Sequence, residues 1–243
     1  MYGGDEIWCA AKSPWTALIE KRNKKSRNRD IRVHCGGAII SDRHILTAAH
    51  CVWLNTHKFR HYRRQSCHKD YVDMDAKTCN KNGCYKKGCL RVEPEDITVS
   101  LGVTSIQDNV EKRLVTNIFI HPGWRKNATP FDTSGDDLAI IELKTPIRTW
   151  SDMVKPVCLP DINKLAEYEN KTKIGSKVEV AGFGATNSWG HLAQTVQHTT
   201  LNILPKANCS AGVYGITGDQ LCAIGPSSNV CQGKNFQNTY DNH

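Results

Sequence analysis

Short apolar runs broken by Gly, Pro, Asn and Asp dominate the hydrophobic pattern, and they predict strands rather than long helices. Residues 14–19 follow a turn and read as a first strand. Residues 33–40 and 43–46 read as two more, with β-branched Val33, Ile39 and Ile40 in the first of them. Residues 97–103 form another, closed by Gly102. Residues 113–121 alternate loosely, with Leu114, Ile118 and Ile120 sharing one face. Asp136-Asp137 then heads the run Leu138-Ala139-Ile140-Ile141, which reads as buried on both faces. Two later strands cover 175–184, with Val178, Val180 and Phe183, and 192–204. Many short strands with turn signals between them predict an all-β unit, and 243 residues suffice for a sizeable core.

Two stretches interrupt this pattern. Residues 20–32 carry Lys21, Arg22, Lys24, Lys25, Arg27, Arg29 and Arg32 against two acids and read as a long solvated hairpin loop. Residues 55–92 carry ten Lys/Arg against three acids and read as an insert. The whole chain has net charge +8, so the remaining residues are acidic on balance and the basicity belongs to these two stretches. An acidic polymer such as heparin, or an acidic protein, is the partner this charge suits. No aromatic residues are interleaved with the basic run 21–32, so nucleic acid is not the expected partner.

Eleven cysteines and three Asn-x-Ser/Thr triplets (Asn127, Asn170, Asn208) point to an oxidising, secretory setting. An odd cysteine count leaves at least one thiol without an internal partner. No run of eighteen apolar residues occurs, so no membrane span is expected. The first residues have neither a basic start nor an apolar core, so no signal peptide is read there and the chain is expected to start after processing or to be incomplete at that end. Cys67, Cys79, Cys84 and Cys89 lie within the insert near His57, His61 and His68. They allow two local disulfides or a zinc site; the lack of a Cys-x2-Cys pair favours disulfides.

Candidate chemistry centres on Leu46-Thr47-Ala48-Ala49-His50-Cys51. A histidine there is a packed core residue, a metal ligand or a general base. An imidazole titrates near pH 6.5, so it can take and return a proton near neutrality. An Asp at the mouth of an apolar run is poorly solvated and needs a partner, and the Nδ1–H of His50 fits Asp137. Asp136 is the rival for that role.

These blocks, in this order, resemble the chymotrypsin-like (trypsin-like) serine peptidases: 46–51, then 137–143, then Cys231-Gln232-Gly233. The opening Met1-Tyr2-Gly3-Gly4, Val33-His34-Cys35-Gly36-Gly37 and Lys155-Pro156-Val157-Cys158-Leu159-Pro160 match as well, and the resemblance spans 1–233 apart from the insert. It implies a chymotrypsin-like double six-stranded β-barrel and peptide hydrolysis by acyl transfer in a secreted protein. A protein or peptide would be the substrate, and no cofactor or metal is called for. His50 would be the general base and Asp137 its orienting acid. The backbone amide of Gly233 would belong to the oxyanion hole, and Asn229 would stand where trypsin-like members carry the Asp that attracts a basic side chain. Cys35 would bridge to Cys51 and Cys209 to Cys222. Cys158 would bridge to a propeptide or light chain, with Cys9 as the alternative inside the chain. Met1 stands where the family has the Ile or Val whose amine turns inward on activation.

One departure decides the expected chemistry. The family continues Cys-x-Gly with Asp-Ser-Gly-Gly, whereas this chain reads Lys234-Asn235-Phe236-Gln237. An amide is not an activated nucleophile, so with Asn235 at the serine's position His50 has no hydroxyl to deprotonate. Residues 234–243 are an unpatterned polar tail. The second barrel is therefore expected to be incomplete at its C-terminal end, Cys231 to lack its usual partner, and the chain to be inactive.

Overall fold

The computed structural model describes residues 5–6, 9–22, 32–55, 89–124, 136–184, 193–209 and 220–225. Six strands close a barrel: β2 (Thr16–Arg22), β3 (Arg32–Ile39), β4 (His44–Thr47), β9 (Ala139–Leu143), β8 (Arg113–Ile120) and β7 (Ile97–Leu101), in that order around the ring. Closure removes the free edges that an open sheet of this size would expose. Inside it, Ile19, Ile39, Ile45, Ile97, Ile141 and Leu143 are completely buried. They come from five of the six barrel strands, with Ile141 and Leu143 both on β9, and buried Val115 and Ile118 add the sixth, β8, so the core is filled from all round the barrel. The hairpin from β3 to β4 turns on Ser41, whose hydroxyl accepts the backbone amides of Arg43 and His44, each at 3.1 Å.

Three strands depart from what the hydrophobic pattern suggests. The β2–β3 ladder runs on through Glu20↔His34 and Lys21↔Val33 to Arg22↔Arg32, three residues into the basic stretch. Glu20 and Lys21 are buried rather than in a solvated loop, so Lys21 is not part of an exposed basic surface. Backbone pairing on both sides of β2, to β3 and to β7, carries the strand past the point where apolar side chains stop. On β8 a register shift between Val115 and Asn117 changes the phase of alternation. Val115 and Ile118 point into the core, while Leu114 is half exposed, so Leu114 does not share the face of Ile118. On β9 burial alternates along the strand: Ala139, Ile141 and Leu143 face inward and Ile140 and Glu142 are half buried. The run is thus buried on one face only, and Leu138 is exposed.

The second half contributes a four-stranded antiparallel sheet. In it β11 (Gln197–Leu204) pairs with β10 (Lys177–Gly182), β1 (Asp5–Glu6) and β12 (Cys222–Ile224). Among the described residues this sheet does not close. It docks on the barrel through Leu18, which faces outward from β2 onto Phe183 and Val196. Backbone bonds from Ile106 to Gln194 and from Val196 to Thr104 add to the junction. A short helix, α1 (Leu165–Lys171), lies in the connection before β10 and has no counterpart in the strand pattern. The insert starts and ends on a two-stranded ladder, β5 (Trp53–Asn55) with β6 (Cys89–Arg91); Cys67, Cys79 and Cys84 lie outside the described residues. No helix among the described residues is long and apolar enough to cross a membrane.

Candidate active site

His50 sits in a single turn of 3-10 helix, Ala49–Val52, directly after β4. Ala49, Cys51 and Val52 are buried and anchor the turn, which leaves His50 as its exposed member. Cys51 is bonded to Cys35 of β3, so the turn is tied covalently to the neighbouring strand. Thr47, at the end of β4, donates its hydroxyl to the carbonyl of Gly36 at 2.8 Å and fixes the same junction from the other side.

Asp137 lies two residues before β9, which is the ladder partner of β4, with Thr47 opposite Ala139. That register brings the carboxylate to the histidine turn. Its Oδ2 lies 2.6 Å from His50 Nδ1, and its Oδ1 accepts the backbone amide of His50 at 2.9 Å. Burial by itself would push the Asp137 carboxyl up. The hydrogen bond and charge of His50, with the backbone amides of His50 and Ala49, outweigh it and hold the group below the usual carboxylate value. Side-chain exposures of 52 % for His50 and 38 % for Asp137 leave the histidine accessible and the carboxylate partly covered. The carboxylate is half buried, and its two oxygens are satisfied by the ring and the backbone amide of His50.

Asp136, the rival partner, has turned to a different histidine. Its Oδ1 is 3.3 Å from His121 Nδ1. Its φ of 60° is left-handed, a conformation an Asp tolerates better than most residues. Successive residues therefore point their carboxylates at two histidines. Gly123 packs against the Asp136 carboxylate so closely that a Cβ there would collide with it. The sequence signal for this second pair was the turn His121-Pro122-Gly123, which the strand pattern alone does not connect to Asp136.

Cys209 and Cys222 form the second disulfide, between the turn 206–208 and β12. Cys9 and Cys158 are both free and exposed, so Cys9 does not serve as the partner of Cys158. The Cys35, His50 and Cys51 donor atoms lie close together, but both sulfurs are consumed in the disulfide and offer no thiolate to a metal. Met1, Asn229, Cys231, Gly233 and Asn235 lie outside the described residues.

The sequence profile described as Trypsin matches residues 3–75 and 76–234 of this chain. The chain belongs to the trypsin family. Its relatives include CLIP domain-containing serine protease B9 of Anopheles gambiae, 28 % identical over 225 residues, which covers 90 % of this chain and 48 % of that protein. Melanization protease 1 of Drosophila melanogaster is 28 % identical over 236 residues, 95 % of this chain and 51 % of its own. The venom peptide isomerase heavy chain of Agelenopsis aperta is 26 % identical over 230 residues, 90 % of this chain and 74 % of its own. The chain thus spans about half the length of the two insect relatives. Within the trypsin family, a histidine held by an aspartate on the first barrel is the arrangement that prepares an imidazole to take a proton from a nucleophile.

Proposed function

We propose that this chain is a secreted serine endopeptidase by descent, acting on protein or peptide chains in its ancestral form, and that as written it does not hydrolyse them. The observation that carries the proposal is the 2.6 Å contact of His50 Nδ1 with Asp137 Oδ2, set beside a sequence that reads Lys234-Asn235. The contact leaves His50 Nε2 as the ring nitrogen that would accept a proton. The proton donor should be a serine hydroxyl, and Asn235 offers an amide instead. Lys234 also puts a positive charge where the family has the carboxylate that pairs with the N-terminal amine. Two disulfides among the described residues support an oxidising compartment and hence secretion.

A fluorophosphonate probe that phosphonylates activated serines tests this reading, together with hydrolysis of chromogenic ester and amide substrates. The expected result is no covalent adduct and no turnover above solvent background. A single adduct mapped to a serine of this chain would overturn it.

A second reading rests on the charge. The surplus positive charge is concentrated in two stretches, while the remaining residues are net acidic. A non-catalytic chain of this kind would act as a binding module for heparin-like acidic polymers or acidic proteins. With Lys21 buried in the barrel, the stretch's contribution narrows to Arg22, Lys24, Lys25, Arg27, Arg29 and Arg32. Neutralising these six should abolish salt-sensitive heparin retention; unchanged retention would remove this stretch from the role.

A further inference from the structure

The triplet Asn170-Lys171-Thr172 lies wholly within the described residues, and neither the His50–Asp137 chemistry nor the basic-surface reading uses it. For Asn127 the whole triplet lies outside them, and for Asn208 the triplet runs into Ser210, which also does. Asn170 occupies the last turn of α1, a helix with no fully buried residue. Tyr168 is the one half-buried member of α1 and marks the side that faces the body of the protein. With 3.6 residues per turn, a residue two positions on points about 160° away from Tyr168. Asn170 is therefore directed away from the protein, and it is exposed. Its side-chain amide has no hydrogen-bond partner among the described residues. Its neighbours are committed elsewhere: Lys171 pairs with Glu167 at 2.8 Å, and the Thr172 hydroxyl donates to the Tyr168 carbonyl at 3.1 Å. A bulky substituent on Asn170 would thus displace no packed side chain and break no bond of the helix.

We infer that Asn170 carries an N-linked glycan, added from a lipid-linked oligosaccharide diphosphate as the chain enters the secretory pathway. In that transfer the Asn170 Nδ2–C1 bond of the glycan forms and the C1–O bond to the diphosphate breaks. The lipid diphosphate leaves with the electron pair, and the amide proton passes to a base of the transferase. The inference rests on the secreted reading above, and the experiment separates the two.

The 243-residue chain is produced behind a secretion leader in insect cells, and its peptides are treated with an amide-cleaving glycosidase in heavy-oxygen water. The expected result is Asn170 converted to labelled Asp, and the loss of one glycan's mobility step on a gel in both Asn170→Gln and Thr172→Ala. Because transfer precedes folding, material retained inside the cell is as informative as secreted protein. An unmodified Asn170 peptide from protein whose Cys35–Cys51 bond has formed would overturn the glycan while leaving secretion standing. Glycan on Asn170 in protein whose Cys35 and Cys51 stay reduced would count against the oxidising, secreted reading while leaving the glycan standing.

Discussion

His50 and Asp137 are joined twice through one carboxylate: Oδ2 meets the ring Nδ1 at 2.6 Å and Oδ1 takes the backbone amide of the same residue at 2.9 Å. The acid thereby fixes both the ring and the turn that carries it. A carboxylate can only accept, so it selects the Nδ1–H tautomer of a neutral ring. Asp137→Asn presents an amide donor in its place, and the tautomer should invert. Nitrogen NMR of the His50 ring checks this: the wild-type pattern should show the proton on Nδ1 and the variant should show it on Nε2. The same tautomer in both would remove Asp137 from the orienting role.

The same contacts set a pH dependence. Folding lowers the Asp137 pKa, so the folded state binds that proton less readily than the unfolded chain. Its contribution is fully present above the ordinary carboxyl value of about 4 and is lost as pH falls through the lower folded value. With more than a third of the side chain exposed, solvent screening keeps the contribution below about 1 kcal/mol. Urea unfolding between neutral pH and the acid limb should show the loss in wild type, and Asp137→Asn should remove that part of the slope.

Cys35 and Cys51 are separated by 16 residues and close the loop that carries β4 and the histidine turn. A crosslink of that span restricts the unfolded chain by about 3 kcal/mol. The double substitution Cys35→Ala and Cys51→Ala should lower unfolding stability by about that amount. The exposed thiols of Cys9 and Cys158 cross-link nothing here, so replacing either with Ser should change stability by less than about 0.5 kcal/mol. Chemical unfolding of the variants side by side decides whether the bond or the residue type matters.

What could be read in the sequence followed from how local the cause was. The strands at 33–40 and 43–46 declare themselves because the first carries β-branched Val33, Ile39 and Ile40 and their turn is marked by Ser41 and Asp42. The match of His50 with Asp137 was also readable, since each sits at the edge of a run with a distinctive motif. The continuation of β2 through Glu20 and Lys21 was not readable, because pairing to β3 and β7 holds those residues and their own polarity argues against it. The β8 bulge was hidden for a similar reason: it is a property of the ladder with β9, not of any one side chain. The α1 helix is only seven residues long and buries nothing, so it leaves no hydrophobic stripe.

Glu20 supplies a direct test of the extended β2. Its side chain is 5 % exposed and is held between Lys112, in ion-pair contact, and His34, whose Nε2 lies 3.4 Å away. A buried carboxylate with two basic partners is part of the barrel wall, whereas a loop acid would be dispensable. Glu20→Ala should cost about 1–3 kcal/mol, because it leaves partly buried donors without their acceptor. Thermal unfolding checks the value, with the exposed Glu111→Ala as the control that should change stability by less than about 0.5 kcal/mol. Equal, negligible effects at both positions would mean that the strand ends before Glu20.

The bulge on β8 makes opposite claims about two large aliphatic residues four positions apart. Ile118 is 5 % exposed and Leu114 is 52 % exposed, although unbroken alternation would give them the same environment. Removing a buried Ile side chain to Ala forfeits its burial and leaves a cavity, at a cost of about 2–5 kcal/mol. Removing a half-exposed Leu should stay within about 0.5–1 kcal/mol, because water already covers much of it and no closed void forms. Ile118→Ala should therefore shift the urea midpoint several-fold more than Leu114→Ala. A matched loss at the two positions would mean that alternation runs unbroken through Thr116 and that the register shift between Val115 and Asn117 does not exist in solution.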